Sequence, residues 1–403
     1  ADHADDIFEF TCALIRTPSV NPPGDEVAVS KVVMDRLAQL GIEDCSIAAC
    51  LPERPNVMAH VAGTSPGPTL MLSGHLDTKP AGNMDEWETD PWVPMVVGDQ
   101  LVGLGSGDMK ASIAAMVYAA AALRHLGEFP GKLSLALTAD EENGSQYGSK
   151  WLAAEGYLEA DVCVIGEPAG VHEEWESIHL VSRGAALFKV VVLGTQMHSS
   201  ISDQLPAVNA TLKMAELALK MQRELRGYLT FDDHEYCRLG PTVNVGVTAE
   251  AGVTYGVFPG RAEFGVDVRT IPGMTEEQVQ ADVQRFLDDA VASDPELDAE
   301  LEWNLMVGAT EIDASNPIVQ SLADASQIVL GHTPRLDAFP GATDAAYIQI
   351  VAGVPCIASF GPGFLPRAHS PNESMHKDGA AEAAMIYALS ALDYLNTQTA
   401  NTP

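Results

Sequence analysis

Histidine and acidic side chains recur where the apolar runs of this 403-residue chain give out. The run "TLML" is followed by His75 and Asp77, "LSLALTA" by Asp140, Glu141 and Glu142, "VCVIG" by Glu167, and "PCIASF" by the loop "GPGFLPRAHS" with His369. Between the first two, "GLGSGDMKAS" sets Asp108 after a glycine-rich turn and just before a long apolar run. Several carboxylates and two imidazoles in a water-poor cleft would repel one another and shift toward neutral forms unless a cation held them. Histidine with carboxylate suits zinc, and manganese or cobalt are alternatives. The inventory exceeds what one tetrahedral ion requires. His75, Asp108 and Glu167 can serve one metal ion, and Glu142 and His369 a second, with the two oxygens of Asp108 bridging them. Asp77 would then accept the free N–H of His75, fixing its tautomer and ring orientation. Glu141 is left over. Neighbours in an extended segment point opposite ways, so Glu142 can ligate while Glu141 faces the water that the metals activate. A carboxylate there would take the proton of that water and hand it to a leaving amine, which is the chemistry of amide hydrolysis.

For these groups to meet, the runs before them must be strands of one sheet, since ligands bind beyond the carboxyl ends of strands in an open α/β sheet. The first part of the chain alternates helical spacing ("EVAVSKVVMDRLAQLG") with short apolar runs bounded by turn residues, a βαβ rhythm that predicts a mainly parallel, mixed sheet with helices on both faces. After Glu167 the texture changes. "HLVSRGAALFKVVVLG", "TVNVGVTAEAG", "RAEFGVDVRTIPG" and "LDAELEWNLM" read as antiparallel strands, with helices at about 206–225 and 275–292. The order β-α-β-β-α-β is that of a ferredoxin-like domain. From about Asn316 the first texture returns: helix "PIVQSLADASQIVLG", helix "DAAYIQIVAG", strand "PCIASFG" and a last helix near 378–395. The expected architecture is one α/β domain, residues 1–179 and 309–403, interrupted by an inserted α+β domain at 180–308.

Five segments, "SGHLDTKP", "GLGSGDMK", "TADEENGS", "VIGEP" and the late "GPG" with "AHSPNE", resemble in order and spacing the dinuclear zinc amidohydrolases that include acetylornithine deacetylase, succinyl-diaminopimelate desuccinylase, aminoacylase and glutamate carboxypeptidase. The resemblance spans nearly the whole chain, insertion included. It implies two zinc ions bridged by Asp108, Glu141 as the base, and often a cis peptide after Asp108. It further implies that the inserted domain forms a homodimer and that His198 of "GTQMHSS" polarises the scissile carbonyl across the interface. Arg269 in "DVRTIPG", Asn244 in "TVNVG", Thr343 in "GATDAA" and the backbone at Gly361 in "GPG" would hold the substrate carboxylate and acyl group. Glu167 stands where deacylases of this group tend to carry Glu and many peptidases Asp, which favours a small N-acyl amino acid as substrate. A dipeptidase, a carboxypeptidase or a hydrolase of another C–N bond on the same centre is the alternative. Leu104, Lys79 and Gly256 depart from the pattern, where an arginine, an apolar residue and an asparagine are usual.

Blander roles stand beside these. His198 can cap the helix that follows it, Arg269 can be an ion-paired arginine, and Asn244 and Thr343 are types that also serve turns and caps. "HEEWESIH", His172 to His179, looks like a further metal cluster but reads as an exposed edge of an acidic surface. Composition narrows the partners. Net charge is −34, with nine lysines against thirteen arginines, a field that repels nucleic acid and anionic membrane. It fits a salt-rich cytoplasm, where screening removes the repulsion, or simply an acidic mesophilic protein. No apolar run approaches the roughly 20 residues of a membrane span. Six scattered cysteines without C-x-x-C spacing fit a reducing cytoplasm.

Overall fold

Short apolar runs between turn residues become the strands of a central six-stranded sheet in the computed structural model, which describes residues 3–400. Its strands are β1 (Cys45–Ala48), β2 (Asn56–Ala62), β3 (Ser65–His75), β4 (Pro130–Thr138), β5 (Val162–Ile165) and β6 (Cys356–Ile357), in the spatial order β1-β2-β4-β3-β5-β6. The pairs β4–β3, β3–β5 and β5–β6 are parallel, whereas β1–β2 and β2–β4 are antiparallel. Four strands that carry chemistry at their carboxyl ends therefore finish on one edge, as the sequence pattern requires.

The helices α1 (Ala4–Ile15), α2 (Val27–Gln39), α3 (Ala111–Leu126), α4 (Pro317–Leu330) and α5 (Gly379–Ala400) belong to the same unit. Alternation along β3 divides its residues between two faces. Gly74 faces α3, so closely that a Cβ there would come 2.5 Å from Met109 and 3.1 Å from Ile113. On the other face Met58, Met71, Ala136, Cys163 and Ile165 pack with Leu152 and Ala153 of the short helix Ser149–Ala154 and with Ile348. Both faces are thus covered, which is why the strands read as nearly continuous apolar runs. The segment expected as helix "DAAYIQIVAG" is a single wide turn, Ala346–Val351.

Internal contacts divide the chain into two units. The first runs up to Val181, includes Glu311–Phe339, and resumes at Thr343; the second comprises Ser182–Thr310 with Pro340–Ala342. The second unit is a four-stranded antiparallel sheet in the order Thr242–Ala251, Arg261–Thr270, Gly184–Leu193, Asp298–Val307, with helices Ala210–Tyr228 and Glu276–Ser293. Chain order β-α-β-β-α-β with its first strand between the third and fourth gives the ferredoxin-like arrangement. The helices begin at Asn209 and Thr275, whose side chains accept the N–H of Leu212 and Gln278. The run "HLVSRGAALFKVVVLG" breaks at Arg183: Ser177–Ser182 pairs between Thr310–Glu311 and Arg335–Phe339, and Gly184–Leu193 starts the four-stranded sheet.

Candidate metal centre

β3 delivers His75 at its last residue, level with Thr138 at the end of β4. The His75 ring points its Nε2 at two carboxylates, 2.9 Å from Asp108 Oδ1 and 3.4 Å from Glu167 Oε1. Beyond β4, Asp140 adopts a left-handed backbone conformation (φ 66°), and the turn Glu141–Asn143 brings Glu142 inward. The loop after β6 brings in His369, whose Nε2 lies 3.1 Å from Asp108 Oδ2 and 3.1 Å from Glu142 Oε2. His75, Asp108 and Glu167 thus form one group of donors, and Asp108, Glu142 and His369 a second; within each, the ligand atoms lie within 4.8 Å of one another. Among the described residues these are the two groups that could hold a metal ion, and they share Asp108, one oxygen to each.

The donor chemistry fits a pair of cations. The carboxylates of Asp108, Glu142 and Glu167 are at most 7 % exposed, and buried charges require a partner of opposite sign. Burial and the charge of Asp108 push the Glu167 carboxyl up to about 7. Burial lowers the His369 imidazole, but its hydrogen bonds to Asp108 and Glu142 outweigh that and carry it up to about 10. Burial likewise raises Glu141 well above the carboxylate range, with Glu167, Asp344 and Glu142 adding to the effect and His75 opposing it. His369 is 47 % exposed, so the second donor group opens to solvent.

Asp77 differs from expectation. The His75 Nδ1 bonds the main-chain oxygen of Asp77 at 2.9 Å, while the nearer carboxylate oxygen stands 3.6 Å away. That carboxylate is taken up elsewhere: Asn21 Nδ2 donates to it at 2.8 Å, and the N–H groups of Glu141 and Glu142 at 3.2 and 3.1 Å. Asp77 therefore holds the turn that carries both glutamates, and its backbone orients the imidazole. Asn21 also donates to Asp140, at 3.0 Å, and Arg54 reaches Asp140 at 2.8 Å while bonding both oxygens of Glu26 at 2.8 and 2.9 Å. This buried network escaped sequence reasoning. Its only local signal is "SVNPPG", a polar residue ahead of two prolines, with the Asn21–Pro22 and Pro22–Pro23 bonds both cis. The Asp108–Met109 bond is also cis.

The remaining candidates scatter. Gly361 is buried on a strand parallel to Pro168–Gly170, packed against Gly166 where a Cβ would not fit. Thr343 is buried, and its hydroxyl accepts the Ala345 N–H at 3.3 Å; the adjacent Asp344 binds the hydroxyls of Ser145, Ser149 and Thr138. His198, Asn244 and Arg269 lie in the second unit. His198 is exposed and its Nδ1 caps the turn Ser199–Ile201; Asn244 is exposed on the edge strand; Arg269 forks onto Asp267, two residues back, at 2.8 and 2.9 Å. Of the departures from pattern, Lys79 sets its ammonium 3.3 Å from Glu142 Oε2 and donates to the Glu142 main chain. Gly256 has φ 85°, a region in which asparagine is the usual substitute for glycine. "HEEWESIH" is not the exposed edge expected. Trp175 and His179 are buried, and Glu176 accepts the main-chain N–H groups of Val171 and His172 and an ion pair from Arg335 at 2.7 Å.

The description "Peptidase family M20/M25/M40" belongs to the family model that matches residues 71–393. A protein of Aromatoleum aromaticum named succinyl-diaminopimelate desuccinylase is 30 % identical over 394 residues, covering 94 % of this chain and 94 % of its own. Among solved structures, an M20 family metallo-carboxypeptidase from Sulfolobus solfataricus superposes with a TM-score of 0.77 at 20 % identity, covering 98 % of this chain and 99 % of that one. A Bacillus subtilis protein described as a dinuclear metal binding peptidase from the M20 family superposes with a TM-score of 0.70 at 16 % identity, covering 98 % and 99 %.

Proposed function

Because the chain belongs to peptidase family M20/M25/M40, we propose that it is a metal-dependent hydrolase of the amide bond in a small N-acyl amino acid. The observation that carries this reading is the pair of donor groups sharing Asp108. His75, Asp108 and Glu167 would hold one ion, and Asp108, Glu142 and His369 the other. Zinc is the proposed metal, with manganese or cobalt compatible with the same donors. When bound, the ions supply Lewis acidity, polarising the amide carbonyl and lowering the pKa of water at the site.

The chain's own residues do the rest. With cations bound, their charge would offset the burial that raises Glu141 and keep it ionised, and its carboxylate takes a proton from the attacking water and delivers it to the departing amine nitrogen. Asp77, by accepting the N–H groups of Glu141 and Glu142, keeps one carboxylate free for that transfer while its neighbour ligates. Arg269, Asn244, Thr343 and the Gly361 backbone are assigned jointly to the substrate carboxylate and acyl group. Arg269 would use the N–H groups that Asp267 leaves free. His198 is assigned to the scissile carbonyl of a second protomer. A homodimer through the second unit is supported by its edge strand Thr242–Ala251, which leaves Val247 exposed, and by the exposed Leu212 and Leu219 of the helix beside it. A cytoplasmic location is supported by six cysteines scattered along the sequence without C-x-x-C spacing. No helix among the described residues is long and apolar enough to cross a membrane.

A relative named as a desuccinylase makes N-succinyl amino acids the first substrates to assay, beside N-acetyl amino acids and dipeptides. The zinc-loaded protein should hydrolyse an N-acyl amino acid with kcat/KM at least about 100-fold above that for any dipeptide, roughly 2.7 kcal/mol of transition-state discrimination. Faster turnover of dipeptides would move the assignment to the peptidase alternative.

A further inference from the structure

A buried carboxylate beside the donors has no part in the chemistry above. Glu373 is 2 % exposed and lies four residues beyond His369. The N–H groups of Gly107 and Asp108 both donate to its Oε1 at 3.0 Å, and that of Gly105 donates to its Oε2 at 3.0 Å. Its main-chain oxygen accepts the N–H of Gly103 at 2.9 Å, and the residues that follow, Ser374–His376, pair with Gln100–Val102. The turn from Gly103 to Asp108 is therefore wrapped around one side chain.

The sequence of that turn explains the need. "GLGSGD" places three glycines in six residues, so the backbone has much freedom to lose and few side chains with which to fix itself. Gly105 cannot be exchanged for a stiffer residue: its φ is 79° and a Cβ would come 2.6 Å from Thr78. The N–H groups of Gly105, Gly107 and Asp108 need acceptors that the turn itself does not supply. A buried amide or apolar side chain could fill the volume of Glu373 without repelling Asp108, but neither offers acceptors at both terminal positions. The amide's NH2 would face an N–H. Lys110 braces the far end of the turn, its buried ammonium donating to the main-chain oxygens of Leu14 and Thr17 at 3.0 and 2.8 Å.

We propose that Glu373 is the positioning residue that aims Asp108 between the two donor groups. By holding three N–H groups it fixes the direction in which the Asp108 side chain leaves the backbone, so that Oδ1 meets His75 and Oδ2 meets His369. This rests on the reading of Asp108 as the shared metal ligand. The test is equilibrium dialysis of the full chain against zinc alone, comparing wild type with Glu373→Gln, and with Glu174→Gln as a control that removes a carboxylate bonded to the His376 N–H at the other end of the segment. Wild type should hold two ions per chain. Glu373→Gln should weaken zinc binding about 10- to 100-fold, whereas Glu174→Gln should stay within about threefold, the span of an ordinary substitution away from the site. If Glu373→Gln does not fold, Glu373→Asp, which withdraws the charge by one methylene, must show the same weakening. Wild-type zinc affinity in the Glu373 variant, even with lowered thermal stability, makes the residue merely structural and overturns the proposal. A wild type that binds no zinc overturns the metal centre beneath it instead.

Discussion

Glu141 and Glu142 carry the same functional group one residue apart, and their surroundings separate them. Glu142 is bonded on both oxygens, by the Lys79 N–H at 3.1 Å and by His369 at 3.1 Å, whereas Glu141 is tied to the network through its main-chain N–H. A free carboxylate beside a set of donors is what proton transfer requires. Glu141→Ala is expected to lower kcat about 10²- to 10⁴-fold, the usual worth of general acid–base catalysis, while zinc content by mass spectrometry stays at the wild-type value. A variant that keeps most of its rate, or that loses metal in proportion to activity, would remove the base from the scheme.

At the scale of elements, the ends of β3, β4, β5 and β6 could be read from the sequence because apolar runs stop where acids and histidines start, and parallel pairing then places those ends together. The network behind them could not. Asn21 and Glu26 come from the loop between α1 and α2, Arg54 from the loop before β2 and Asp140 from the turn after β4, and nothing in their local sequence says that Asp140 and Glu26 converge on one guanidinium. Nor does spacing distinguish a carboxylate that orients a histidine from one that anchors the next turn: at Asp77 the main-chain oxygen takes the His75 N–H and the carboxylate anchors the turn of Glu141 and Glu142. "HEEWESIH" differs from its sequence expectation for a related reason: charge density marks a surface only when no partner such as Arg335 lies across the fold. Breaking a buried ion pair leaves uncompensated charge, so Arg54→Met should destabilise the chain by about 3–5 kcal/mol in urea unfolding at neutral pH. A change under about 1 kcal/mol, the worth of a surface pair, would show that Glu26 and Asp140 do not depend on it.

For the whole molecule the dominant quantity is charge: 22 basic against 56 acidic residues leaves −34. Self-repulsion opposes the folded state most in dilute buffer and is screened over about 3 Å in molar salt. The melting temperature should therefore rise from dilute buffer to molar KCl, and a flat or falling trend would mean that the acids are already compensated. The same surplus of carboxylates makes weak cation binding expected anywhere on the surface, so the metal centre has to be recognised by stoichiometry and by its ligands. Zinc retained per chain after exhaustive dialysis is the most direct measurement. Two ions in the wild type and one in His369→Ala are the expected result; one or none in the wild type, or two still held by His369→Ala, would contradict the shared-aspartate centre.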